Sequence, residues 1–162
     1  MLMDFEYFYE ENKSDGFIGT DIIARENGKD VGLAVLALNT NKKWGRLVAI
    51  VTHPDYRSKY DCGSELLTIC KQYAKSHGIE NLGLDQMRMG DIAKRAKFYV
   101  KKNGFTHDLG KMNIIKKIIP NIILKQYRGN DSLIYNLKKI GADKLSKLQS
   151  RTGLNKDLMK YM

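Results

Sequence analysis

The sequence predicts an α/β fold built on a mixed, mostly antiparallel sheet. Three observations predict it. Four stretches of strand character follow one another with only short turns between them. A basic loop ending in Gly63 and Ser64 then opens the first segment of clear helical period. A short apolar strand comes after that helix, so the fourth and fifth strands must lie parallel across a helical crossover.

The elements follow in order. Over Asp4–Glu10 the residues Phe5, Tyr7 and Tyr9 alternate with charged or polar ones, apart from Phe8, which reads as a strand. Residues 12–16 read as a loop and Phe17–Arg25 as the second strand. Asn27 and Gly28 suit a tight hairpin, which returns the chain into a third strand over Val31–Leu38. A turn over Asn39–Lys43 leads to a fourth strand, Trp44–Thr52. In the helix over Glu65–His77, Leu66, Cys70, Tyr73, Ala74 and His77 share a stripe, closed by Gly78. Leu82, Leu84 and Asp85 form the fifth strand.

Asp91 suits the N-cap of a further helix carrying Ile92, Ala96, Tyr99 and Val100 on one face, ended by Asn103 and Gly104. Between Met112 and Tyr127, six isoleucines from Ile114 to Ile123 form a helical stripe broken by Pro120, which reads as two short helical pieces. That stripe packs on the domain or forms a self-association surface, so a homodimer is one open alternative. Leu133, Tyr135 and Leu137 alternate as a late strand. Ala142–Gln149 and Asn155–Tyr161 read as short terminal helices. Residues 1–140 are expected to form one domain, and 141–162 a basic helical extension.

The net charge of +10 is unevenly spread. Residues 1–30 carry eight acids and three bases, whereas residues 94–162 carry seventeen bases and four acids. A basic C-terminal half favours acidic partners such as nucleotide cofactors or nucleic acid. No apolar window approaches the length of a transmembrane helix, and the acidic start lacks the pattern of a secretion signal. Cys62 and Cys70, eight residues apart on one helix, would be about 12 Å apart, too far for a disulfide. A reduced, cytoplasmic protein without membrane attachment is expected. His53, His77 and His107 are scattered, so no metal site is expected.

The stretch from His53 to Leu67 carries the densest chemistry. Strand, basic loop, glycine and helix set free backbone N–H groups and a helix N-terminus against a phosphate. Arg57 and Lys59 bring two positive side chains to the same place. The alternative reading of the same residues is an ordinary strand-to-helix turn with solvated charges.

This order of elements resembles the GNAT superfamily of acetyl-CoA-dependent N-acyltransferases over residues 17–105. The residues that carry the resemblance are Pro54, Asp55, Tyr56 and Arg57, with Lys59, Gly63, Ser64, Leu66 and Leu67. A second piece is Ala96, Phe98 and Tyr99 followed by Lys102, Asn103, Gly104 and Phe105. Ser58 and Tyr60 stand where the family usually has glycines, the loop is one residue longer, and the family's N-terminal helices have no room between residues 10 and 16. The resemblance implies a GNAT-like fold with those helices missing. It implies acetyl-CoA as co-substrate, held by Val51, Thr52, Arg57, Ser58, Lys59, Tyr60, Asp61, Cys62, Gly63, Ser64 and Asp91.

Direct acyl transfer from a thioester to an amine needs both substrates held together, N–H donors for the carbonyl oxygen, a base for the amine and an acid for the leaving thiolate. In this reading backbone around Val51 to His53 supplies the donors. Asp85 is the first candidate base, His53 the second, and Tyr99 the candidate acid. Each has an ordinary structural alternative: a strand-end cap for Asp85, a loop residue for His53, a core aromatic for Tyr99. Two other functions fit the chain. One is a nucleic-acid modification enzyme on the same fold, of the phage Mom type, for which the basic half would suit a phosphate backbone. The other is a non-catalytic binding protein that kept the fold. The sequence leaves the amine acceptor open.

Overall fold

A computed structural model of the chain describes residues 5–57, 61–85, 97–107, 132–141 and 143–162. The chain divides into two compact units, residues 1–82 with 136–162, and residues 83–135. The expected helix from Asp91 falls outside the described residues as far as Ala96, and the isoleucine stripe lies wholly outside them.

The first unit is built on a sheet meander. β1 (Glu6–Ser14), β2 (Phe17–Glu26), β3 (Lys29–Asn39) and β4 (Trp44–Thr52) pair antiparallel in sequence order. The turns follow from their residues. Asn27 and Gly28 both have positive φ, 49° and 76°, the conformation that a two-residue hairpin of matching twist demands. The expected loop over residues 12–16 is shorter than the sequence suggests. Asn12, Lys13 and Ser14 pair with Gly19, Ile18 and Phe17, leaving only Asp15 and Gly16 to turn. Polar side chains there disguise strand residues whose ladder is made by backbone.

Helix α1 (Cys62–Ser76) follows β4 and carries the chain to β5 (Asn81–Asp85), which runs parallel beside β4. The mixed, mostly antiparallel sheet with a parallel β4/β5 pair is thus the fold expected. α1 buries Leu66, Leu67, Ile69, Cys70, Tyr73 and Ala74. It lies on the sheet face that carries Thr20, Ala24 and Gly32, since a Cβ on Gly32 would meet Cys62 and Leu66, and the Thr20 hydroxyl reaches Tyr73. The Tyr73 hydroxyl also bonds the Glu11 carboxylate, with His77 Nε2 3.6 Å from the same oxygen.

The opposite face is covered by the C-terminal residues. Ile23, Leu33 and Val51 from three neighbouring strands form a buried cluster with Leu158, and Val35, Leu154 and Tyr161 pack against it. Here the structure corrects the sequence reading. The expected helix over 142–149 is a single 3-10 turn, Leu145–Lys147, followed by β8 (Leu148–Ser150), parallel to β1. The expected helix over 155–161 is a 3-10 turn, Asp157–Tyr161. Pairing with the edge of β1 supplies hydrogen bonds that three residues of helix could not make for themselves.

In the second unit, Lys97–Lys102 is π-helical rather than α-helical. Gly104, at φ 76°, ends it, and its N–H donates to the Val100 carbonyl. Two short strands follow in chain order, β6 (Thr106–His107) and β7 (Ser132–Asn136), paired antiparallel. β7 was expected from its alternation; β6 is too short to have a period. Phe105 is buried, with its ring 5.5 Å from Tyr135 and 6.0 Å from Tyr99.

Candidate functional site

The chain's exit from β4 is tightly defined. The β2–β3 register slips between Ala24 and Arg25, where Val31 is the extra residue on β3. The Val31 carbonyl accepts from His53 N–H at 2.8 Å, which extends the β3–β4 ladder one step past Thr52. Pro54, with its fixed φ, then starts a 3-10 turn over Pro54–Tyr56. The His53 imidazole caps this turn, its Nδ1 accepting from Asp55 N–H at 3.2 Å. A ring nitrogen that accepts a bond is unprotonated, so the proton of neutral His53 sits on Nε2. The ring also meets Tyr56 and Tyr161 edge-on, at centroid distances of 6.0 and 5.1 Å. His53 is therefore engaged as a cap and packing group.

Arg57 closes the turn. Its Nε donates to the Thr52 carbonyl and its Nη2 to the Tyr161 carbonyl, both at 3.0 Å. Thr52 thus contributes its carbonyl to hold Arg57, and Val51 is a core residue with its side chain in the Leu158 cluster. Ser58, Lys59 and Tyr60 lie outside the described residues, as does Asp91.

The loop re-enters at Asp61, the residue before α1, in the left-handed conformation at φ 55°. Glycine adopts this conformation at least cost, and Asp is among the few other residues that tolerate it. The step turns the chain directly into α1, whose first intrahelical bond runs from Glu65 N–H to the Asp61 carbonyl at 3.1 Å. The N–H groups of the first turn, which include Cys62, Gly63 and Ser64, precede the helical ladder and concentrate its positive dipole end.

Gly32 lets this helix start sit close to β3. A Cβ at position 32 would lie 3.0 Å from Cys62 Sγ and 3.2 Å from Leu66 Cδ2. Cys62 is fully buried in that contact. Burial, with added repulsion from Glu65, Asp61 and Glu26, pushes its thiol up to about 12. Such a thiol stays protonated at neutral pH and is no nucleophile. Its side chain packs while its backbone stands in the first turn of the helix.

The remaining candidates belong to the second unit. Asp85 ends β5. Tyr99 lies in the π-helical stretch, half-buried, its ring edge-on to Phe98 at 5.0 Å and to Phe105 at 6.0 Å. Its carbonyl accepts from Phe105 N–H at 3.0 Å, so Gly104 and Phe105 fix the local backbone around the tyrosine. Phe98 is held from the other side, its carbonyl accepting from the Asn103 side chain at 2.8 Å.

Sequence reasoning missed Tyr161, which meets both His53 and Arg57. The available signal was the spacing Leu154, Leu158, Tyr161, four and then three residues apart, one apolar stripe on a segment otherwise rich in lysine.

Comparison with known proteins shows the family of the chain. The family described as acetyltransferase (GNAT) domain matches residues 17–107, more than half of the chain. No curated protein sequence matches the chain. Among solved structures, the chain is similar to the PaiA N-acetyltransferase of Thermoplasma acidophilum in complex with coenzyme A, at 18% identity and a TM-score of 0.51. That similarity covers 72% of this chain and 59% of the other, so the chain spans less than two thirds of that relative. Tetrahymena GCN5 is similar at 17% identity and a TM-score of 0.52, over 76% of this chain and 70% of that one. A putative streptothricin acetyltransferase from Bacillus anthracis, in complex with acetyl coenzyme A, is similar at 20% identity and a TM-score of 0.53, over 77% and 64%. At these identities the likeness is one of fold.

Proposed function

The chain belongs to the GNAT acetyltransferase family, and on that footing we propose that it moves an acetyl group from acetyl-CoA directly to an amine. The observations that carry the reading are the described ends of one stretch, residues 52–57 and 61–64. A strand ends, a proline turn brings Arg57 to its exit, and a left-handed residue delivers the chain into a helix N-terminus seated against Gly32. Backbone N–H groups and a helix dipole suit a pyrophosphate, and Arg57, four residues before Asp61 in the chain, adds a cation to the same stretch. Two of the similar structures hold coenzyme A or acetyl coenzyme A.

In this proposal the first turn of α1 and Arg57 hold the coenzyme's phosphates, with Ser58, Lys59, Tyr60 and Asp91 as further candidates from the sequence. Asp85 takes the amine proton, since the Nδ1 of His53 is engaged by Asp55 N–H. Tyr99 returns a proton to the leaving thiolate, a role its phenol hydroxyl can fill as a donor. Cys62, protonated and buried, takes no part as a nucleophile, so the acetyl group passes in a single ternary complex.

The test is calorimetric titration with acetyl-CoA, followed by mass spectrometry of products from separate pools of small amines, proteins and nucleic acids. The expected result is saturable binding that Arg57→Glu weakens about tenfold, a step of about 1.4 kcal/mol, with acetylated product in one pool. Absence of acetyl-CoA binding would overturn the proposal. Binding without turnover in any pool would leave a coenzyme-binding protein in place of an enzyme.

A further inference from the structure

We infer that Tyr161 is a positioning residue for the coenzyme's phosphate group, acting through Arg57. The inference rests on the coenzyme reading above and adds a residue far from the loop in sequence. Four contacts carry it. The Tyr161 carbonyl accepts from Arg57 Nη2 at 3.0 Å. Its ring packs edge-on against His53 at 5.1 Å. The same ring rests on the cluster of Ile23, Leu33, Val51 and Leu158. Lys156, at the start of the same turn, pairs with Asp21 on β2 at 2.7 Å. The turn that presents the carbonyl is thus fixed by core packing, and it faces both ends of the Pro54–Tyr56 turn.

The chemistry follows from the shape of the guanidinium. Its five N–H donors lie in one plane, in forks that each hold two parallel bonds. Nε and Nη2 form one edge, and here that edge holds the Thr52 and Tyr161 carbonyls. The Nη1–Nη2 edge lies outside this pair and carries the two further donors that a phosphate takes bidentately. An arginine clamped along one edge has already lost the rotamer freedom that a free one loses on binding. Clamping lowers the ordering cost of the phosphate contact without touching the ligand.

The test is a double-mutant cycle on coenzyme A affinity by titration calorimetry, with the full chain, Tyr161→Ala, Tyr161→Phe, Arg57→Ala and the double variant. Tyr161→Ala should weaken binding by about two- to tenfold, the range for ordering one long side chain. Tyr161→Phe, which keeps the ring and the carbonyl, should stay within about twofold of the parent. In the Arg57→Ala background, Tyr161→Ala should cost nothing further, because the group it positions is gone. A purely structural tyrosine gives the opposite pattern, with the two losses adding. Additive losses, or unchanged affinity in Tyr161→Ala, would overturn the inference while the parent chain still binds. A parent chain that binds no coenzyme A removes the coenzyme reading itself, and is recognised because all five proteins are then silent.

Discussion

Two residues shape the start of α1. Gly32 is small because Cys62 and Leu66 lie where its side chain would be. A methyl group there would press on the Cys62 sulfur and the Leu66 methyl, at the end of α1 that carries its N-terminus. Gly32→Ala should therefore destabilise the fold by about 1–3 kcal/mol, the usual cost of overpacking, and weaken acetyl-CoA binding in the same step. Urea unfolding and calorimetric titration read the two effects separately; a variant with parental values in both would show that the helix start tolerates the shift. Asp61 makes the complementary contribution, a left-handed step taken by a residue other than glycine. The sequence made Gly32 legible only as a residue of a strand, since the close approach is set by a helix thirty residues later. It made Asn27 and Gly28 fully legible, because a hairpin is a local matter. Arg57 was legible as a cation shortly after β4, whereas its bonds to two carbonyls, one of them more than a hundred residues away, had no local trace.

Helix α1 shows what an apolar stripe conceals. Leu66, Cys70, Tyr73 and Ala74 were read as a buried face, and they are buried. Within that face Tyr73 also serves as a polar anchor, receiving the Thr20 hydroxyl and donating to Glu11, and burial pushes its phenol further up. Lys71 is buried as well, and burial pulls its ammonium down to about 8. These shifts give the element a pH signature. Cys62 and Cys70 both stand at about 12 in the fold against an ordinary 9. Above pH 9 the unfolded chain loses these protons and the folded chain keeps them, so stability falls as pH rises. Each cysteine contributes a slope of about 1.4 kcal/mol per pH unit. Lys71 acts in the opposite sense between about 8 and 10.5, where the unfolded chain holds the proton and the folded one has lost it, so stability rises with pH. One lysine offsets one cysteine in the overlap. Above pH 10 the raised Tyr73 phenol adds a further loss in the same sense as the cysteines, so the expected outcome is a net fall in stability that begins near pH 9, steepens near 10 and steepens again above 10.5. Chemical denaturation across pH 8–11 measures it, and Cys70→Ala should flatten the slope by about one proton's worth. The elements themselves were legible where a period ran for three turns or five strand residues, as in α1 and β4. They were not legible at β6 and β8, two and three residues long, which exist only because a partner strand lies beside them.

At the scale of the whole chain, the uneven charge acquires a structural meaning in the first unit. The acidic strands near the N-terminus and the basic C-terminal residues meet there. Lys156 pairs with Asp21, the Glu10 carboxylate accepts from Leu154 N–H at 3.2 Å, and the Arg151 guanidinium lies 5.2 Å from the Phe8 ring centre. One base of the excess, Lys156, thus faces one of the protein's own acids. The deeper tie is apolar. Leu158 is 5% exposed and joins Ile23, Leu33 and Val51 across three strands. If the last residues were an appendage, shortening this side chain would cost less than about 0.5 kcal/mol, as surface changes do. As a core residue, Leu158→Ala should cost about 2–5 kcal/mol from lost burial and the cavity left behind. In urea the transition midpoint should fall while its slope stays that of the parent, because the same surface is exposed on unfolding. A midpoint within error of the parent would detach residues 154–161 from the core. The loop would then have to hold Arg57 by the Thr52 carbonyl alone.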